Sequence, residues 1–112
     1  MSKSMLPIFL GLALASAVAS CAIAGNAGQA IYETHCSVCH GVDGKGALPG
    51  VPNFTQKKGV LSLPVALLMK RIEHGYQGPV SPMAMPPKGG DASLTNQQIK
   101  QVLDYVRSEF GG

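Results

Sequence analysis

Apolar and polar positions alternate along this chain in a way that sets out three helices. Behind Asn26 and Gln29, which together read as a capped helix start, Ala27, Ala30, Ile31 and Thr34 fall at helical spacing and lead toward Cys36. Val65, Leu68, Met69 and Ile72 repeat at i, i+3, i+4, i+7, with Pro64 suited to the first turn and Gly75 to stop it. Thr95 with Gln98 three residues later forms a capping box. Ile99, Val102, Leu103, Val106 and Phe110 then mark one apolar face of a final helix, which Gly111-Gly112 ends.

Between these helices the composition changes. Residues 41–59 are rich in Gly, Pro, Asn and Lys with little periodicity, and residues 76–91 carry seven Pro and Gly: Gly78, Pro79, Pro82, Pro86, Pro87, Gly89 and Gly90. Both read as irregular loops, and the second resists a helical backbone. No segment of any length has period two, so the fold expected is all-α.

The N-terminal stretch has a different character. Lys3 precedes an apolar run from Leu6 to Val18 that is short for a bilayer span, and small residues follow. Residues 1–24 are therefore expected to be a secretory signal peptide, cut after Ala24 at Ala22-Ile23-Ala24, with Ala17-Val18-Ala19 a second candidate. Val18-Ala19-Ser20-Cys21 also has the form of a lipobox, in which cleavage before Cys21 and acylation of that cysteine would anchor the protein to a membrane surface facing the periplasm. The domain proper is expected over 25–112, in the periplasm, and soluble unless Cys21 carries lipid.

One pentapeptide carries the chemistry. Cys36-Ser37-Val38-Cys39-His40 has the Cys-x-x-Cys-His spacing that attaches haem c. On one helical turn both sulfurs reach the same side of the chain, where they can add to two vinyl groups of one macrocycle, and the following imidazole is held beside the iron. Zinc would need four ligands, and adjacent Cys39 and His40 are poorly spaced for it even with His35 nearby. A thioredoxin-like dithiol would need a preceding strand. Of the three cysteines, Cys21 leaves with the leader or is acylated, and the other two are consumed by the motif, so no disulfide is expected.

Charge adds little. Nine Lys and Arg stand against six Asp and Glu. Removing Lys3 with the leader leaves eight against six, a net of +2 that two haem propionates would cancel, so no nucleic-acid partner is expected. A domain under about 100 residues without Trp has a modest core. A covalently held apolar macrocycle would supply its centre, and the chain without it should fold poorly.

Iron with one histidine needs a second axial ligand to carry electrons, or an open position to bind gas or catalyse. Ser81-Pro82-Met83-Ala84-Met85-Pro86-Pro87 offers two thioethers, and because residues two apart in extended chain face one side, spacing leaves Met83 and Met85 both open. Met69 belongs to the apolar stripe of its helix, and His35 and His74 read as surface residues, with bis-histidine ligation through His74 the exception to that reading.

The Cys36 to His40 motif continued by Gly41, the loop with Pro52-Asn53-Phe54, the Ala84-Met85-Pro86-Pro87 loop and a last helix carrying Tyr105 together resemble the small bacterial class I monohaem cytochromes c with an A-M-P-P loop. The resemblance covers the whole domain, strongly at two motifs and loosely elsewhere. It implies the cytochrome c fold, with three main helices and irregular loops around one covalent haem c. It implies His40 as proximal and Met85 as distal iron ligand, Met83 being the runner-up. It implies too that Pro52, or else Pro49, offers its carbonyl to the His40 ring, and that the first and last helices cross with 27–32 near Tyr105 and Val106. The function expected is one-electron transfer to and from redox partner proteins, by a monomer or in a transient complex, without enzymatic activity. Two other readings are a gas-binding or peroxidase-like haem protein with a labile methionine, and an electron-transfer subunit of a larger redox complex.

Overall fold

A computed structural model of the chain describes residues 7, 8, 10–13 and 20–111. The leader expected over 1–24 lies outside these residues except in short stretches. Four α-helices follow in chain order: α1 (Ser20–His35), α2 (Ser37–His40), α3 (Val65–His74) and α4 (Asn96–Phe110). Single 3-10 turns lie at Val60–Ser62 and Pro87–Gly90. Among the described residues there is no strand, only an isolated antiparallel bridge between Tyr76 and Met85. The all-α expectation holds, with three main helices and one short turn.

Helix α1 does not begin at Asn26 as its capping pattern suggested; the backbone is already helical from Ser20 and passes through the expected cleavage site after Ala24. The other boundaries follow their signals. Pro64 is the N-cap of α3 and Gly75, at φ 78°, its C-cap. Thr95 accepts from the Gln98 amide while the Gln98 side chain accepts from the Thr95 amide, so the capping box is complete.

The core forms where α1 crosses α4. Ile99, Val102, Leu103, Val106 and Phe110 are all buried along one face of α4, as their spacing requires. Tyr32 of α1, 1 % exposed, meets this face and packs at a tilt against Tyr105, at 5.6 Å, and Phe110, at 5.3 Å between ring centroids. The helices come together at Gly28. A Cβ there would stand 2.4 Å from the Gln101 carbonyl oxygen and 2.9 Å from Tyr105 Cβ, so only glycine permits this approach. Phe54 from the first loop closes the cluster by packing 6.1 Å from Phe110.

Helix α3 behaves differently. Only Leu68 of its apolar stripe is buried, while Met69 and Ile72 are half-buried; Leu68 and Ile72 line a cavity shared with both loops. No helix among the described residues is long and apolar enough to cross a membrane.

Candidate functional site

The cavity of about 440 Å³ is lined chiefly by apolar side chains from α1, both loops, α3 and α4. That volume falls within the range of cofactor pockets. Every site residue expected from the sequence borders it: Cys36, Cys39, His40, Pro52, Met83 and Met85. Of the runners-up, Pro49 also borders it, whereas His74 does not. His74 instead lies on the surface beside Glu73, at 3.5 Å.

Local backbone geometry delivers the two sulfurs. The Cys36 amide donates to the Tyr32 carbonyl, completing α1, and the His40 amide donates to the Cys36 carbonyl at 2.9 Å, so the chain turns into α2 with one bend at Cys36. Gly41, at φ 85°, then ends the turn. The Tyr32 hydroxyl donates to the Gly41 carbonyl and ties this end to the core; burial raises that phenol well above its ordinary range. Both thiols are free. Burial, with the neighbouring Cys39, pushes the Cys36 thiol up to about 11, so it stays protonated at neutral pH.

Burial lowers His40 below the ordinary imidazole range, which keeps the ring neutral, the form that donates a lone pair to a metal. Its ring stacks on Phe54, with centroids 4.6 Å apart and planes 18° from parallel. Its Nδ1 is buried and has no hydrogen-bond partner. The bond expected from His40 to the Pro52 or Pro49 carbonyl is therefore not formed in this structure, where the ring stacks on Phe54. Sequence spacing gave no sign of the Phe54 contact.

Met85 and Met83 differ in how they are held. The Met85 amide donates to the Tyr76 carbonyl at 2.7 Å and the Tyr76 amide donates back to the Met85 carbonyl at 3.1 Å. Met83 is 57 % exposed, and its amide reaches only the Ser81 hydroxyl, at 3.4 Å.

Arg71 was missed in the sequence. It lines the apolar cavity from α3, its guanidinium carbon lies 3.8 Å from the Tyr76 ring centroid, and its Nε is buried without a hydrogen-bond partner. Its register three residues after Leu68, on the stripe that faces the cavity, was the available signal. A buried unpaired cationic donor in an apolar site fits an anionic ligand group.

The family model described as Cytochrome c matches residues 25–109. The chain belongs to the cytochrome c family. That membership brings a covalently bound haem c with its iron, and the residues present fit it: two free thiols on one turn, a neutral imidazole beside them, thioethers on the same cavity, and an orphaned cationic donor for a carboxylate. Among relatives of this cytochrome c, the CcoP subunit of a cbb3-type cytochrome c oxidase from Rhodobacter capsulatus is 34% identical over 91 residues, 80% of this chain and 31% of that protein. Cytochrome c-555 of Prosthecochloris aestuarii is 30% identical over 87 residues, 73% of this chain and 84% of that protein. A fructose dehydrogenase cytochrome subunit from Gluconobacter japonicus is 34% identical over 90 residues, 75% of this chain and 18% of that protein. The chain thus spans about a third of the length of the CcoP relatives and most of cytochrome c-555.

Proposed function

We propose that this cytochrome c passes single electrons between redox partner proteins, with His40 and Met85 as the axial iron ligands. When bound, the haem supplies a reversible ferric to ferrous exchange. Cys36 and Cys39 hold it by thioether bonds. Burial keeps the Cys36 thiol protonated at neutral pH in the folded chain. His40 offers a neutral ring nitrogen, its ring stacked on Phe54. Arg71 Nε, a buried donor without a partner in the protein, would supply a hydrogen bond to a carboxylate of the group. The apolar walls exclude water and, with a thioether ligand, favour the reduced state.

The single observation that carries the ligand assignment is the two-sided backbone pairing of Met85 with Tyr76, which Met83 lacks. In the haem-loaded ferric protein, the far-red absorption band of sulfur ligation should survive Met83→Ala and vanish in Met85→Ala. Loss of the band only in Met83→Ala would reverse the assignment, and a wild-type protein without the band would favour the gas-binding or peroxidase-like reading. A colourless protein with both thiols titratable would end the haem reading altogether.

Two settings suit such a domain, a freely diffusing carrier and, as the names of the CcoP and fructose dehydrogenase relatives have it, a subunit of an oxidase or dehydrogenase. We favour the carrier, located in the periplasm after removal of 1–24, or tethered there through an acylated Cys21. Mass spectrometry of the mature protein reads the N-terminus, the lipid and the haem together.

A further inference from the structure

Arg71, Tyr76 and Met85 form a chain of contacts that runs from α3 to the methionine, and nothing in the haem-attachment motif accounts for it. We propose that Tyr76, clamped by Arg71, is the positioning residue that presents Met85 to the iron. The proposal rests on the reading of Met85 as distal ligand.

A neutral thioether binds iron weakly compared with an imidazole, so its hold depends on how well the backbone presents it. Here the backbone at Met85 is fixed by a reciprocal pair of hydrogen bonds with Tyr76, of 2.7 and 3.1 Å. The two segments can approach this closely because of Gly75, whose φ is 78° and where a Cβ would stand 2.6 Å from the Met85 carbonyl oxygen. Backbone pairing alone, with a single isolated bridge and no sheet behind it, is a weak anchor. The Tyr76 side chain strengthens it. Although 40 % exposed, its ring lies against the Arg71 guanidinium at 3.8 Å, one turn back on α3. The pairing is thereby fastened to a helix that itself packs on α4 and on the turn that follows Met85. If the clamp opens, the fraction of molecules with Met85 in place falls, and an added ligand that competes for the iron gains affinity by the same factor.

Imidazole titrated into the ferric haem-loaded protein, followed by loss of the far-red sulfur band, measures that factor. Tyr76→Leu and Arg71→Gln should each tighten imidazole binding by about three- to tenfold, the range expected for a cation over an aromatic face. Tyr76→Phe, which keeps the ring over which the cation sits, should stay close to wild type. The double variant should be no tighter than the stronger single, because each change breaks one shared contact. Any contribution of Arg71 to a haem carboxylate appears in the single variant and again in the double, and so cancels from the coupling. Leu94→Ala is the control for general loosening, since Leu94 is buried but does not border the cavity; it should lower the melting temperature and leave imidazole affinity unchanged. Unchanged affinity in Tyr76→Leu, additive effects in the double variant, or an equal shift from Leu94→Ala would overturn the clamp while leaving Met85 as ligand. A sulfur band that persists in Met85→Ala would overturn the ligand reading itself, and with it the clamp.

Discussion

Phe54 joins the His40 ring to the aromatic core through two contacts of one side chain. The His40 ring has no hydrogen-bond partner at Nδ1 and lies 4.6 Å from Phe54, whose other side belongs to the core formed with Phe110. Phe54→Ala should remove both contacts and lower unfolding stability by about 3 to 5 kcal/mol, the usual range for a buried Phe truncated to Ala. Denaturant titration of the haem-loaded protein checks the loss, and Phe54→Leu should recover most of the stability without the stack. That Cys36, Cys39 and His40 share one cavity was legible in the sequence, because the three are nearly contiguous and need only one turn of backbone to come together. Phe54 and Tyr76 were not, since each works through a contact that spacing does not encode, and Arg71 showed only in its register on the α3 stripe.

At the scale of elements, the periodicity of α4 and the Thr95 to Gln98 box predicted both its face and its first residue, because caps and stripes are local signals. The start of α1 was misread for a related reason. Asn26 and Gln29 have capping potential, yet a cap forms only where the preceding backbone leaves the helix, and here it continues back to Ser20. The turn at Pro87–Gly90 also departs from a plain loop; Lys88 and Gly89 both adopt left-handed angles, φ 54° and 60°, that no apolar pattern reports. Crossing of α1 and α4 depends on Gly28. Gly28→Ala places a methyl group against the Gln101 carbonyl, so the helices must separate at a cost of about 1 to 3 kcal/mol. Thermal melting should show that loss, whereas Ala30→Gly, an exposed site on the same helix, should cost no more than about 1 kcal/mol from helix propensity.

For the molecule as a whole, the cavity at the centre is the dominant feature. Leu68, Ile72, Val102 and Leu103 face it together with both loops, so a large part of the apolar surface has the cofactor as its partner. Protein made with Cys36→Ser and Cys39→Ser, and stripped of haem, should therefore lose most of its helical circular dichroism and its cooperative melt. A sharp transition retained in that variant would show that the crossing of α1 and α4 suffices alone. Small size and scarce large aromatics led to the expectation of a macrocycle at the centre; the path by which α3 turns its stripe toward the cavity was not legible, because periodicity marks a buried face without saying what buries it.

The embrace of α1 by α4 joins segments at nearly opposite ends of the domain. No earlier part of the chain can complete that knot of aromatic rings, so closure waits for Phe110 to emerge, and contacts of such long reach form late. Until then the turn bearing both sulfurs hangs on an unfinished fold. That delay leaves an interval in which the two sulfurs stay within reach of an incoming pigment before the last helix shuts the door.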